Sequence, residues 1–294
     1  MRILLFFLLS IFLFAQSDDR ATDSIDSNFI NYNSFVSNTN LPDTLYLCNE
    51  LVDLTDPELR ERAEREYLLL MQQTGQILLY LKRAERYFPM YDNYIERLNL
   101  PKDLKYVSVA ESALYMSRSS AGAVGLWQIM PATAREMGLR VDKYVDERRH
   151  PEKSTMIGLQ YLAEGYNKFG TWALAIAAYN RGKYGIADDV EFQMKNNYFD
   201  LYLNEETSRY YFRILIIKEM MQNPEKYGFD IENLRGYTDP DTKEITVNSR
   251  ISNLAKWAAE HGTDYKTVKL LNPWILKREL NDPGRDKYKI WVPK

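Results

Sequence analysis

One acidic residue, Glu111, lies among apolar residues in a segment with helical spacing. Side chains at intervals of three and four would share one face of a helix opened by Pro101, and they are Leu104, Val107, Glu111, Leu114 and Tyr115. Two interpretations of this glutamate are open: its carboxylate reaches water at the edge of the apolar face, or it lines a cleft. In a cleft, partial desolvation would raise its pKa towards about 6 or 7, and a protonated Glu111 could donate a proton at neutral pH.

A second candidate segment, residues 122–131, contains two glycines that permit a close-packed turn. The turn would bring Trp127, Gln128 and Met130 together. An indole or a thioether offers apolar surface to a sugar ring, and an amide both donates and accepts hydrogen bonds. The alternative is that Trp127 and Met130 are core residues behind an ordinary glycine turn.

A third candidate lies at the end of a predicted helix. Residues 172–178 are rich in alanine, which allows close helix packing, and Tyr179 and Asn180 would emerge at the C-terminal end with polar groups available. Taken alone, this is an ordinary helix end.

The composition limits the chemistry to carboxylates, amides and hydroxyls. The 294 residues contain one cysteine and two histidines, which excludes a disulfide framework and a cysteine-rich zinc site and makes a histidine-based metal site improbable. We therefore expect no cofactor and no metal. A net charge of −3 gives no basic field, so we expect no nucleic-acid partner.

The elements that position these residues fall into five segments by composition and pattern. Residues 1–15 are predicted to be a signal peptide, 16–50 a flexible polar leader, 51–87 a helical extension opened by Asp56 and Pro57, 88–232 a compact all-α domain, and 240–294 a small module.

The first segment predicts export. Arg2 precedes the apolar run 3–14, which as a helix would span about 18 Å, short of a hydrocarbon core of about 30 Å. A membrane anchor is the weaker alternative. No cysteine lies at the cleavage point near Ala15 to accept a lipid, and Cys48 is too distant, so we expect no permanent membrane anchor.

The last segment predicts the order strand, helix, helix, strand. Ile245 to Val247 would form the first strand, Ser249 would cap the first helix, Thr263 or Asp264 the second, and the alternating residues after 287 would form the closing strand.

Together, these motifs resemble those of the family 1 lytic transglycosylases, in particular their membrane-bound lytic murein transglycosylase D group. The likeness rests on Glu111-Ser112, residues 122–131, residues 178–180, and Glu206-Thr207 with Tyr210. It implies a mainly α protein with a lysozyme-like α-helical catalytic domain over 88–232. It also implies cleavage of the MurNAc–GlcNAc β-1,4 bond of peptidoglycan, with Glu111 as the catalytic acid.

The resemblance also assigns substrate-binding roles residue by residue. Ser112 would orient Glu111 or the substrate N-acetyl group; the other positions would line the cleft or steady the substrate, and they are Gln128, Met130, Tyr179, Asn180, Glu206 and Tyr210. Trp127 departs from the pattern, since soluble relatives often carry methionine there, which leaves subsite preference open. The C-terminal unit resembles a divergent LysM module, and both sugar binding and a purely structural role are open for it.

A single convincing acid is compatible with the reaction that the resemblance implies. The C6 hydroxyl of MurNAc would attack its own C1 to form a 1,6-anhydro ring, so no second carboxylate has to activate water. The alternatives are a hydrolase of the goose-type lysozyme kind and a non-catalytic scaffold that binds peptidoglycan. The expected partner is the peptidoglycan glycan strand, in the periplasm or cell envelope, and the oligomeric state is open.

Overall fold

The computed structural model describes residues 34–37, 39–284 and 286–294. The predicted signal peptide, 1–15, and much of the predicted leader lie outside the described residues. Residues 34–37 form a helical turn in the unit 1–41, and every element below belongs to the unit 42–294.

A two-stranded antiparallel hairpin opens this unit. Strands β1 (Thr44–Leu47) and β2 (Glu50–Asp53) pair with Leu45 opposite Val52, and both of these side chains are buried. The prediction of a loose leader up to residue 50 is therefore wrong for residues 44–50. Leu45 and Leu47 alternate with exposed residues as strand residues do, but two apolar positions are too few to stand out in a polar segment.

Two helices follow the hairpin. Helix α1 (Pro57–Met71) begins as predicted: Pro57 is its first residue, and the Asp56 carboxylate accepts hydrogen bonds from the backbone N–H groups of Glu58 and Leu59. Helix α2 (Thr74–Arg97) runs through Pro89, so the predicted boundary between residues 87 and 88 falls inside a helix. Burial of one face of α2 on both sides of Pro89 outweighs the missing backbone hydrogen bond.

Six further helices complete the helical part, which confirms the prediction of a mainly α fold. They are α3 (Lys105–Ser112), α4 (Pro131–Glu136), α5 (Pro151–Phe169), α6 (Trp172–Arg181), α7 (Lys183–Gln193) and α8 (Glu205–Gln222). Helix α8 packs against α1, α2, α3 and α6, and its residues 210–217 are buried except Arg213. A helix that is apolar on most sides belongs in the centre of a core, and α8 takes that place.

The C-terminal module has the predicted order. Strands β3 (Thr242–Val247) and β4 (Tyr288–Pro293) pair antiparallel, and α9 (Leu254–Glu260) and α10 (Tyr265–Leu271) lie between them in sequence. Asp264 caps α10, as predicted. The prediction that Ser249 caps α9 is wrong: Asn253 does so, because Ile251 pairs with the backbone of Leu280 and keeps the preceding residues extended.

The buried core of the module includes one residue from outside it, Val145. Val145 pairs with Ile275, and the backbone N–H of Asp146 donates to the Trp274 carbonyl at 2.9 Å. The module is therefore packed onto the helical part. Among the helices that the structure describes, none is both long enough and apolar enough to cross a bilayer.

Candidate active site

Glu111 lies in the last turn of α3, where the backbone turns away sharply. The helix ends at Ser112, and both Ala113 and Leu114 adopt left-handed backbone conformations, with φ values of 56° and 54°. Leu114 and Tyr115 are therefore not on the helix, contrary to the predicted stripe. A left-handed conformation is costly for residues with a Cβ and persists only when neighbours enforce it. Here Arg83 of α2 donates to the Ala113 carbonyl at 2.9 Å.

The Glu111 carboxyl group is partly buried and touches α8. Tyr210 donates its hydroxyl hydrogen to Oε1 of Glu111. Burial raises the pKa of Glu111 to about 7; the Tyr210 hydrogen bond opposes this rise, the nearby Glu206 carboxylate adds to it, and the Arg213 guanidinium opposes it. At neutral pH both the protonated and the ionised forms are therefore populated, which a group that gives and later takes a proton requires.

Two serines of α3 hold residues 122–131 against the helix. Ser112 donates to the Leu126 carbonyl at 2.7 Å, and its hydroxyl lies 3.1 Å from the Ser108 carbonyl. Ser108 also donates to the Leu126 carbonyl, at 2.9 Å. The Ser112 hydroxyl is buried and directed at this backbone.

Residues 122–131 fold into a tight loop stabilised from several sides. Val124 and Ile129 pair across the loop, and Gly125 has a φ of 90°. A Cβ at Gly125 would lie 2.1 Å from the carbonyl oxygen of Arg148, so only glycine fits there. Arg148 itself donates to the Gly122 carbonyl at 2.8 Å and the Ile129 carbonyl at 3.0 Å.

Trp127 is a core residue. Its side chain has no exposed surface, and its indole N–H donates to the Thr155 hydroxyl at 3.0 Å. The interpretation in which its ring offers a surface to a sugar is therefore wrong, and the core alternative is right. The reason is that the turn points position 127 towards Tyr91 and α5.

Gln128 and Met130 point the other way, into a cleft that Ile157, Tyr161, Tyr179 and Asn180 also line. The Gln128 amide group donates to the Gly125 carbonyl at 2.8 Å and lies 3.1 Å from the Ser117 hydroxyl. Met130 exposes 43% of its surface.

The end of α6 faces the start of α8. Tyr179 donates its hydroxyl hydrogen to the Trp127 carbonyl at 2.7 Å. The Asn180 side-chain amide donates to Glu206 at 3.1 Å and accepts from the Thr207 hydroxyl at 2.8 Å. Asn180 is therefore fixed in orientation by two partners.

The predicted site residues form two connected groups. One group joins Glu111 to Tyr210, and the other joins Asn180 to Glu206. Tyr179 is hydrogen-bonded to neither group; burial and the nearby Glu111 charge both raise the pKa of its phenol. Glu111 does not itself line the cleft, but it lies close enough to Tyr179, which does, for its charge to act on the phenol. The Ser112 hydroxyl is hydrogen-bonded to the loop and to its own helix, and its orienting role towards Glu111 or the substrate stays a prediction.

Sequence reasoning missed the residues that support the site from behind. Arg148 and its partner Asp146 form a buried ion pair at 2.8 Å, and Tyr161 stacks edge-on against Tyr179. None of these has a local sequence signature. Within the described part of the chain, no cluster of three or more His, Cys, Asp or Glu side chains is arranged to hold a metal ion.

Two family profiles match the chain. The profile described as "Transglycosylase SLT domain" matches residues 96–201. The chain carries a transglycosylase SLT domain. The profile "Soluble lytic transglycosylase C-terminal LysM-like domain" matches residues 243–294, which cover β3 to β4. Both parts of the predicted resemblance are thereby confirmed. The SLT match begins at the end of α2 and stops before α8, so Glu206, Tyr210 and the whole of α1 lie outside it.

Known relatives extend the likeness over more of the chain. Membrane-bound lytic murein transglycosylase D of Escherichia coli K12 is 28% identical over 223 residues, 72% of this chain and 47% of the relative. A putative tributyltin chloride resistance protein of an Alteromonas species is 34% identical over 103 residues, 34% of this chain and 50% of the relative. The chain spans about half the length of these curated relatives.

Among solved structures, the 70 kDa soluble lytic transglycosylase of Escherichia coli aligns with 51% of this chain and 27% of its own. The aligned parts are 22% identical, with a TM-score of 0.39.

Proposed function

We propose that this chain is a peptidoglycan lytic transglycosylase in which Glu111 is first the general acid and then the general base. One observation carries the proposal: a partly buried glutamate with a pKa of about 7 lies next to Tyr179, which lines a cleft in an SLT domain. Protonated Glu111 gives its proton to the GlcNAc oxygen as the bond from C1 of MurNAc breaks. The resulting Glu111 carboxylate takes the proton of the MurNAc C6 hydroxyl as the C6 oxygen forms its bond to C1.

The neighbours of Glu111 support both steps. After the first proton transfer, the Tyr210 hydroxyl stabilises the new carboxylate by hydrogen bonding, which keeps it from being too strong a base. The Asn180 amide, held by Glu206 and Thr207, and the Gln128 amide offer polar groups to sugar hydroxyl and N-acetyl substituents. An intramolecular nucleophile held in place gains its rate from orientation.

Peptidoglycan strands as substrate and a place in the cell envelope after export are parts of the same proposal. The SLT and LysM-like domains support them, as does the relative named membrane-bound lytic murein transglycosylase D. Sugar binding by the C-terminal module stays a prediction.

The test is the substitution Glu111→Gln, which keeps the shape and removes the titratable group. We expect the rate of turbidity loss of purified sacculi to fall by about two to four orders of magnitude, with the fold intact by circular dichroism. Glu225→Gln, which removes an exposed charge from the short 3-10 helix Pro224–Tyr227 after α8, should leave the rate unchanged, and Glu206→Gln should lower it more mildly.

Mass spectrometry of the products separates the alternatives. The proposal requires 1,6-anhydro-MurNAc ends, which are one water lighter than the reducing ends that a goose-type hydrolase would release. Binding to sacculi without any soluble product would indicate a scaffold. Cleavage by Glu111→Gln within tenfold of the unmodified protein would refute the assignment of the acid.

A further inference from the structure

A buried carboxylate of α1, Glu66, faces α8 behind the site. Its side chain is 3% exposed, although α1 lies outside the SLT domain match. Arg209 donates from Nε to one carboxylate oxygen at 2.5 Å, and Arg213 donates from Nε to the other at 3.2 Å. Taking a carboxylate out of water is unfavourable unless it is paired and hydrogen-bonded, and here two guanidinium groups pair with one glutamate.

Arg213 connects this cluster to the acid. It lies three residues after Tyr210 on α8, so the two side chains are neighbours on the helix surface, and Tyr210 donates to Glu111. The Arg213 charge is close enough to Glu111 to favour its ionised form. Burial raises the pKa of the Tyr80 phenol in α2, and the Arg213 charge opposes this rise.

The other groups around Glu111 come from three helices. Glu206 and Tyr210 face it from α8 and Tyr179 from α6, while Arg83 of α2 donates to the backbone that follows it. Of these two arginines, Arg213 acts on the Glu111 charge and has a buried carboxylate partner, whereas Arg83 donates to the Ala113 carbonyl.

We infer that Glu66 is a positioning residue that holds the Arg213 guanidinium on the α1 side of α8 and so preserves the protonated form of Glu111. The inference rests on the proposed function, because a proton donor is useful only if Glu111 is the acid. It gives the helical extension before the SLT domain a chemical role in addition to packing.

The sign of the effect follows from electrostatics. Without Glu66, Arg213 keeps its charge and loses its acceptor, so its attraction for the Glu111 carboxylate is no longer offset. A cation near a carboxylate favours ionisation and lowers the pKa. Less Glu111 is then protonated at neutral pH, and activity falls at the alkaline side of the pH profile.

The experiment compares pH–rate profiles of the full chain and of Glu66→Gln. We expect the alkaline limb to move towards lower pH by roughly half to one unit, a loss of about threefold to tenfold on that limb, with near-normal rates at low pH. Glu66→Asp, which keeps the carboxylate, should have a pH–rate profile close to that of the unmodified protein. Glu205→Gln is the matched control: Glu205 lies 3.6 Å from Arg209 and is not paired with Arg213, so its limb should not move.

Arg213→Gln decides whether the effect passes through the arginine. On its own it should move the limb to higher pH, and Glu66→Gln added to it should cause no further shift. If the second substitution shifts the limb as much in this background as alone, the inference is wrong. Arg213→Gln also serves if Glu66→Gln fails to fold, and an unmoved limb in that variant would overturn the inference.

A readout without turnover separates this inference from the proposed function. The carboxyl ¹³C resonance of Glu111, assigned by its absence in Glu111→Gln, should titrate at lower pH in Glu66→Gln and at higher pH in Arg213→Gln. These shifts would stand even if sacculi were not cleaved. Equal titration in all three proteins would refute the role of Glu66 even if cleavage were confirmed.

Discussion

Burial acts on one titratable group at the candidate site, Glu111, and on another, His150, where the helical part meets the C-terminal module. In both cases burial disfavours the charged form, but the chemical consequences differ. Burial raises the pKa of the acid to about 7 and, aided by Lys153, lowers the pKa of His150 to about 3. Glu111 has a hydrogen-bond partner and a cleft beside it. The His150 ring lies between Trp274 and Trp291, with ring centroids 5.8 and 5.1 Å away.

The difference lies in what surrounds the proton. Around Glu111, the Tyr210 hydroxyl can stabilise the ionised form, so the proton can leave and return. Around His150, the buried Nδ1 atom has no hydrogen-bond partner in the described part of the chain, so a proton there would be costly. One environment permits proton transfer, and the other uses a neutral ring as part of an apolar interface.

The two regions are joined by a short chain of contacts. The Asp146 carboxylate pairs with the Arg148 guanidinium, and the Asp146 backbone N–H donates to the Trp274 carbonyl of the module. Arg148 in turn donates to the Gly122 carbonyl of the loop that contains Gln128. The module is therefore in a position to stabilise the site loop mechanically.

The largest expected effect is at this junction. Gly125→Ala would force a Cβ to within 2.1 Å of the Arg148 carbonyl at a φ of 90°, and we expect a loss of about 4 kcal/mol or more of stability. Gly262→Ala in the module is the control, with a φ of 74° and open space around the added carbon, and it should cost about 1 to 2 kcal/mol. Urea unfolding measures both; equal losses would show that the clash is relieved by a small shift.

The next largest effect concerns His150 at the interface with the module, at low pH. The unfolded chain protonates His150 below pH about 6.5, whereas the native state does so only near 3, so the unfolded state binds more protons between these values. Stability should therefore fall as the pH falls through that window, by about 2 to 3 kcal/mol at pH 4.5 relative to His150→Gln. His261→Gln is the control, because its imidazole lies outside the interface. Identical pH slopes in His150→Gln and the unmodified protein would contradict this account.

The smallest effect concerns Glu111 at the candidate site, at high pH. Its effect on stability has the opposite sign. Glu111 has a raised native pKa, so the unfolded state loses its proton first and the native state is penalised as the pH rises from about 4.5 to about 7. Glu111→Gln should therefore be more stable than the unmodified protein at pH 8, by about 1 to 2 kcal/mol because the carboxyl is only partly buried. The gain should vanish below pH 4.5, and thermal unfolding across pH checks it.

Several helix starts and the order of elements in the module could be predicted from residues close together in the sequence. Asp56 with Pro57 and Asp264 mark helix starts through side chain and backbone groups only a few residues apart, and the order of elements in the module is evident for the same reason. The charge of Glu111 among apolar neighbours singles it out from the pattern of residue types. The hairpin at 44–53 escapes prediction because two short strands stabilise each other only when paired.

The sequence by itself determined which residue types are available for the chemistry, where some helices begin, and that a glutamate at 111 is out of place. Tertiary structure alone decided that Trp127 faces the core, that α3 stops at Ser112, and that Glu66 lies against Arg213. The reason is one of range: caps and periodicities act between residues a few positions apart, whereas burial, pKa shifts and ion pairs depend on helices brought together from distant parts of the chain.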